Sequence, residues 1–390
     1  RDAACALFPP VPMDDVSPTT PAHSDRLLAL GYLVDFTLPF VADLIAALAT
    51  FRDQARVDMT VYAVSPIEPA LLEALLVTGI RVVQVATFDE QRTAQTIRSE
   101  NPDILIDAAS FGPYAKPGIL SYRPARIQVT MPGFDSPLGV GELDFRLSDR
   151  VVDLDLDRRQ GEPLAIFVDG GVFPLLPAPQ VHSQVTRPQL GIAQGAPVYG
   201  ILASVARVSM RCLMLWKELS ERVPNAVFFV CPMQTADREP VKRMLVANGI
   251  EAARIVMLPP SLQRLRELSL SGIVDIILDT MPGSDYFSAR ASILNAIPLV
   301  TMPGRMFEER VALSLLTRVG GVALVADSGR DYVNLAAKMA TDPAAVREAA
   351  AKLSALLQTS EIGNMGKYVA NVEDALFRAA QSITTTESAR

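Results

Sequence analysis

Residues 274–304 read VDIILDTMPGSDYFSARASILNAIPLVTMPG. The apolar run that ends at Asp279 predicts a buried strand, Pro282, Gly283, Ser284 and Asp285 a loop, the next segment a helix, and Pro298 to Met302 a second buried strand. Strand, loop, helix, strand is the repeating unit of a parallel sheet covered by helices. Ligands of such sheets sit beyond the carboxyl ends of the strands, where helix N-termini present N–H groups and favour anions. The loop Thr280 to Ser288 is therefore the first candidate site for a phosphorylated ligand.

The same rhythm runs outward in both directions. Toward the N-terminus, strands are predicted at Leu27 to Val34, Val57 to Val64, Ile80 to Ala86 and Asp103 to Asp107. Helices are predicted from Pro39 to about Phe51, from about Pro69, and from Asp89 to Glu100. Ala108 to Tyr122 reads as a loop, followed by apolar strands at Arg126 to Met131 and Leu143 to Ser148. From Gly161 to Arg187 the rhythm stops and prolines gather, as in a linker. It restarts with strands at Pro197 to Ala203, Ala226 to Cys231 and Arg254 to Leu258, separated by helices Met210 to Arg222 and Arg238 to Asn248. Gln263 to Ser271 reads as a helix, as does the stretch near Glu308 to Arg318, with a short strand at Val322 to Val325. A last helix from about Met365 to Ala380 carries Tyr368, Val369, Val372, Leu376 and Phe377 on one face.

The expected organisation is an extended lead-in (1–22), a Rossmann-like domain (23–172), a linker (173–188), a second Rossmann-like domain (189–361) and a C-terminal helix (362–390) returning to the first domain. The fold class is α/β, with two such domains facing a cleft, a natural place for a ligand.

Composition narrows the function. A length of 390 residues suits two cores rather than one, and a net charge of −7 argues against a general nucleic-acid or acidic-membrane binder. Pro39 and the acids Asp35 and Asp43 interrupt the longest apolar region, Leu27 to Phe51, so no membrane span is expected. The three cysteines, Cys5, Cys212 and Cys231, are too few and too scattered for a disulfide framework, which fits the cytoplasm. The sequence begins at Arg1 rather than Met, as a fragment or processed chain would. No GxGxxG follows the first strand, and GxxxxGK[ST], HExxH and CxxC are absent, which disfavours dinucleotide dehydrogenases, P-loop NTPases and zinc hydrolases. His23 and His182 fall in lead-in and linker and give little support to a Ser-His-Asp site.

Four stretches are similar to the protein O-GlcNAc transferase and SPINDLY family. They are RPARIQVTMPGFDSPLGVGELDFRLSD (Arg123 to Asp149), VYGILASVARVSMRCLMLWKELSERVPNAVFFV (Val198 to Val230), RIVMLPPSLQRLREL (Arg254 to Leu268) and IILDTMPGSDYFSARASILNAIPLVTMPGRMFEERVALSLL (Ile276 to Leu316). The resemblance implies a GT-B glycosyltransferase that passes a sugar from a nucleotide sugar to a Ser or Thr hydroxyl of a protein. It implies no metal and no cofactor. The donor is a UDP-sugar first, with CMP- or GDP-linked sugars as alternatives, and the oligomeric state is left open. No repeat at solenoid periods runs through these residues, so the tetratricopeptide superhelix that family members commonly carry is not within this sequence.

Residue by residue, the resemblance places Arg207 where the family has a lysine against the diphosphate, and so in the catalytic role. Tyr286, Phe287 and Ser288 stand where the family has His-Thr-Thr at the helix start, and Ala291 where it sets an aspartate on the ribose. Ser261, Gln263 and Arg266 fall in the base-binding loop. Asp279 and Arg310 match family positions as supporting residues. On the acceptor side Asp35, Phe36, Gly133 and Phe134 are expected at strand ends, and the family's histidine after the first strand falls at Pro39. These replacements in the phosphate loop leave a second expectation, a degenerate transferase fold acting as a binding or scaffolding subunit. An epimerase or a glycogen-type phosphorylase on the same architecture is a third.

Overall fold

The computed structural model describes residues 26–109, 112–131, 142–154, 163–177, 185–232, 235–257, 270–321 and 324–388. The chain divides into two compact units, Arg1–Pro174 with Asn364–Arg390, and Leu175–Gly363.

In the first unit the strands are β1 (Leu28–Val34), β2 (Val57–Ala63), β3 (Arg81–Gln84), β4 (Ile104–Ala108), β5 (Ile127–Thr130), β6 (Phe145–Ser148) and β7 (Leu164–Phe167). All pair in parallel, in the order β3-β2-β1-β4-β5-β6-β7. Helices α1 (Pro39–Phe51), α2 (Pro69–Val77), α3 (Glu90–Glu100) and α4 (Gly118–Ser121) make the connections. The β1 sequence LALGYLV is buried almost throughout, as a strand covered on both faces must be. Gly31 sits in its middle because a Cβ there would lie 2.9 Å from the Tyr62 ring on β2.

The second unit contains β8 (Val198–Ile201), β9 (Val227–Val230), β10 (Ile255–Met257), β11 (Ile276–Leu278) and β12 (Leu299–Val300), in the parallel order β10-β9-β8-β11-β12. Its helices are α5 (Met210–Arg222), α6 (Arg238–Ala247), α7 (Tyr286–Asn295), α8 (Val311–Val319), α9 (Gly329–Thr341) and α10 (Pro343–Thr359). On α5 the buried residues Cys212, Leu213, Trp216, Leu219 and Ser220 recur at helical spacing and form the stripe that covers the sheet.

The final helix, α11 (Met365–Ser388), belongs to the first unit and packs on α1 and β7. Tyr368, Val369, Val372 and Leu376 are buried, and Tyr368 Oη donates to Val172 O at 2.9 Å. The Arg56–Asp374 ion pair beside them, at 2.9 Å, is exposed on both sides and contributes at most about 1 kcal/mol. Apolar burial, at roughly 1.5–3 kcal/mol per fully buried side chain, holds the helix in place.

Two elements differ from the sequence expectation. The region predicted to be without βα rhythm contains β7, an edge strand paired with β6. Only Ile166 of its four residues is fully buried, so it lacks the continuous apolar run that marks the inner strands. The loop predicted from Ala108 to Tyr122 contains α4, a single buried turn. The helix expected at Gln263 to Ser271 falls almost wholly on 258–269, outside the described residues.

Candidate functional site

Both sheets change direction once. Strands are laid outward from β1 through β2 to β3 before β4 is added on its other side, and from β8 through β9 to β10 before β11. Such a reversal opens a crevice at the strands' carboxyl ends, where ligands of open α/β sheets bind.

In the second unit the chain leaves β8 through the turn Val205–Arg207 and enters α5 behind its N-cap Ser209, whose Oγ accepts from Cys212 N at 3.2 Å. It leaves β11 at Asp279 and enters α7 behind the N-cap Asp285, whose Oδ2 accepts from Ser288 N at 2.7 Å. The two loops are tied together. Ser209 Oγ donates to Met281 O, Met281 N donates to Cys212 Sγ at 3.2 Å, and Arg207 Nη1 donates to Ser284 O at 2.9 Å. Arg207 Nε also lies 3.6 Å from Asp285 Oδ1. One guanidinium and two helix N-termini thus meet beside the switch between β8 and β11, and all favour an anion.

Asp279 holds this arrangement from below. It is fully buried, and its carboxylate accepts from Thr301 Oγ1 at 2.6 Å, Ser284 Oγ at 2.7 Å, and Thr280 N and Asp285 N at 2.9 Å each. Ser284 Oγ in turn accepts from Ala312 N, at the start of α8. The Asp279 carbonyl accepts from Tyr332 Oη on α9, which accepts from Trp216 Nε1 on α5. Burial pushes the Asp279 carboxyl up from its ordinary 3.8 to about 6, against the opposing pull of the Thr301, Asp285 and Ser284 donors. It remains an acceptor at neutral pH.

Among the described residues that the sequence singled out, Arg207, Asp279 and the loop leading to Ser288 are brought together. Ser288 does not present its hydroxyl outward: it is fully buried and Oγ donates to Asp285 Oδ2 at 2.8 Å. Tyr286 is 2% exposed, with its ring edge-on to Phe287 at 5.4 Å, so its side chain belongs to the core of the unit. Arg310 precedes α8 and donates from Nη1 to Gly304 O at 2.9 Å, fastening the segment after β12. Ser261, Gln263 and Arg266 lie outside the described residues, as do Gly133 and Phe134.

In the first unit Asp35 stands at the end of β1 and is fully buried. Its Oδ1 accepts from Thr37 N and Oγ1, and its Oδ2 from Tyr114 N. Phe36 is buried too, with its N–H on Ser65 Oγ at 2.8 Å. Both order the β1–α1 connection.

Two residues of the site, Ser209 and Thr301, were missed in the sequence, while Ser284 and Asp285 fell within the candidate loop Thr280 to Ser288 without a role of their own. Ser209 and Asp285 carry a readable signal, a capping residue just ahead of a helical segment. Thr301 has none, because its partner Asp279 is 22 residues away and meets it only through strand pairing. Burial pushes the Cys212 and Cys231 thiols up, so neither is a thiolate nucleophile at neutral pH. Among the described residues no group of three or more His, Cys, Asp or Glu is arranged to hold a metal ion, and no helix is long and apolar enough to cross a membrane. A cavity of about 180 Å³ lies at the other end of the second sheet, but there Arg187 and Asp275 pair with each other at 2.7 Å, away from the ligand-binding strand ends.

Two parallel sheets of Rossmann order in separate units, with the last helix returning to the first, define the GT-B class of glycosyltransferase fold. Glycosyl transferase family 41 matches residues 177–372, and the chain belongs to that family. It is 28% identical over 364 residues to a probable UDP-N-acetylglucosamine–peptide N-acetylglucosaminyltransferase SPINDLY of Oryza sativa, covering 91% of this chain and 39% of that protein. The SPINDLY protein of Arabidopsis thaliana is 27% identical, over 90% of this chain and 39% of its own length. The chain thus spans about two fifths of the curated relatives it matches. Among solved structures, a Thermobaculum terrenum O-GlcNAc transferase mutant superposes with a TM-score of 0.82 at 21% identity, covering 98% of this chain and 73% of that one. Anabaena HepE in complex with UDP and glucose gives 0.56 at 13% identity, covering 89% and 99%. At these identities the likeness speaks for the fold.

Proposed function

We propose that this protein transfers a sugar from a nucleotide-activated donor to a Ser or Thr hydroxyl of a protein, and that the crevice between β8 and β11 holds the donor phosphates. The observation that carries this reading is Arg207, fixed by Ser284 O at 2.9 Å beside the N-termini of α5 and α7, in a chain of glycosyl transferase family 41. In the transfer the acceptor oxygen bonds to the anomeric carbon while the bond from that carbon to the phosphate oxygen breaks, and the hydroxyl proton leaves to solvent or to the departing phosphate. Negative charge develops on the departing phosphate. A guanidinium held in place before reaction stabilises that charge without reorganising, and the helix dipoles add to it. UDP-N-acetylglucosamine is the first donor to test, since the relatives' names specify it. The transfer needs neither metal nor cofactor, so activity should persist in EDTA. A reducing cytoplasm suits Cys212 and Cys231, the free cysteines among the described residues.

The test is kcat for sugar transfer from labelled UDP-N-acetylglucosamine to protein. Arg207→Ala is expected to lower it by roughly 10²–10³, or about 2.7–4 kcal/mol of transition-state stabilisation. Arg207→Lys should recover part of the loss, because it keeps the charge without the fork of donors. Full activity in Arg207→Ala overturns the assignment.

A further inference from the structure

The face of α11 that is buried in the first unit carries Tyr368, Val369, Val372, Leu376 and Ala379, and at helical spacing within that apolar stripe stands Glu373. It is 3% exposed. Among the described residues its carboxylate forms no ion pair and has one hydrogen-bond donor, Asp53 N, which reaches Oε1 at 3.1 Å and Oε2 at 3.4 Å. Buried charges are ordinarily paired, and one N–H shared between two oxygens leaves this one under-compensated. The titratable groups around it are Asp53 and Arg56 from the connection between α1 and β2, Tyr32 of β1, and Asp374 of α11 itself. Arg56 is already engaged: it pairs with Asp374 at 2.9 Å and lies 4.3 Å over the Phe377 ring. Arg52 donates to Ala49 O and Thr78 O, and on the β7 side Arg378 faces Asp169 at 3.8 Å. Glu373, Asp53 and Asp374 thus share Arg56, at a place where α1 ends and its dipole is negative.

Burial pushes the Glu373 carboxyl above its ordinary 4.5; the Asp53 N–H and Arg56 oppose the rise, and the Asp53 and Asp374 charges add to it. The folded chain therefore holds a proton over a range in which the unfolded chain has released it. Stability from this group is fully present below the ordinary carboxyl value and falls as pH rises through that range. We propose that Glu373 makes the seat of α11 a pH-sensitive joint, tight when the carboxyl is protonated and loosened when it is ionised. The apolar stripe keeps the helix docked in both states, so ionisation changes how often the seat opens rather than whether α11 stays. With α11 the chain re-enters the first unit, at Asn364, and its seat is the part of that unit whose opening responds to protons.

The test is hydrogen–deuterium exchange of the full chain, read by mass spectrometry on peptides from α11, in wild type and Glu373→Gln at about pH 4.5 and about pH 7.5. Comparing the two chains at one pH cancels the intrinsic exchange rate. Glutamine keeps the shape and an acceptor for Asp53 N and cannot ionise. At the higher pH α11 is expected to exchange more slowly in Glu373→Gln than in wild type by roughly fivefold to thirtyfold, with most of that advantage gone at the lower pH. Peptides from the second unit should not differ. Asp53→Asn, which keeps the acceptor for Ala55 N and removes a neighbouring charge, should slow α11 in the same direction by less. Equal or faster exchange in Glu373→Gln at the higher pH overturns the proposal, as does an advantage of the same size at both pH values, which would mean better packing rather than lost charge. A Glu373→Gln chain that fails to fold overturns it too, because the neutral side chain should tighten the seat.

Discussion

The two units carry the same topological reversal, and each sets a buried aspartate at a strand end beside it, yet the two surroundings differ. Asp35 gathers three donors, two from Thr37 just beyond it and one from Tyr114, and α1 then begins at Pro39 behind Leu38, whose side chain caps nothing. Asp279 gathers four donors from three places in the chain, and the helices on either side of it open behind capping side chains with Arg207 between them. Topology supplies a crevice in both cases. Charge and capping make one of them suited to an anion.

The largest effect that could break this contrast is on stability. Asp279→Ala leaves Thr301 Oγ1, Ser284 Oγ and two main-chain N–H groups without their acceptor in a dry interior, at about 1–3 kcal/mol each if unrelieved. Partial relaxation brings the expected cost to roughly 3–5 kcal/mol. Trp216, the only tryptophan, is in the second unit and reports its unfolding by fluorescence during denaturant titration. Asp279→Ala should move that transition strongly, and Asp35→Ala should leave it in place while far-ultraviolet circular dichroism detects the loss in the first unit. A Trp216 transition that shifts equally in both variants would show that the units unfold as one and remove the basis for treating the aspartates separately.

Ionisation sharpens the contrast next. Because the folded Asp279 carboxyl is raised from 3.8 to about 6, the native state binds a proton that the unfolded chain has released between those values. The unfolded state then binds fewer protons than the native one, so stability from this group falls as pH rises through that window, by about 3 kcal/mol at 1.36 kcal/mol per unit. Asp279→Asn cannot titrate. The difference in unfolding free energy between wild type and Asp279→Asn, followed through Trp216, should therefore move against the wild type between pH 4 and pH 6.5 and be flat above. A difference that stays flat from pH 4 to pH 6.5 and turns against the wild type only as pH falls below about 4 would mean that the four donors outweigh burial and hold the carboxyl low.

Much of this was legible in advance, for particular reasons. The strands beside both reversals are continuous apolar runs, and α1, α5 and α11 announce themselves through Pro39, the Trp216 stripe and the Tyr368 face. β7 did not, because an edge strand with one fully buried residue has no distinctive pattern. Of the site, Arg207 and Asp279 could be placed through family resemblance and position in a strand-loop-helix unit. The direction of the Ser288 hydroxyl could not. Serine three residues after an aspartate reads equally as a ligand contact or as part of a cap, and only the hydrogen bond to Asp285 decides between them. The Thr301 contact depends on β11 and β12 lying side by side, which no local pattern encodes.

The smallest effects lie at two glycines, one beside each reversal. A Cβ on Gly112 would overlap Asp35 Oδ2 and come within 3.0 Å of Leu38 and 3.1 Å of the Ala109 carbonyl. The buried carboxylate is held by Thr37 and Tyr114, and one obstacle is backbone, so nothing yields easily. Gly112→Ala is expected to destabilise the first unit by about 1–3 kcal/mol through overpacking. Among the described residues, a Cβ on Gly283 would meet Arg207 Nη1, at 3.2 Å, the far end of a long side chain. Gly283→Ala should therefore change the Trp216 transition by less than about 0.5 kcal/mol. It should nevertheless weaken nucleotide binding, because the guanidinium must shift from Ser284 O to make room. A Gly283→Ala protein that unfolds normally but binds nucleotides as the wild type does would show that Arg207 can move without consequence, and would remove its position from the list of what the second crevice has and the first lacks.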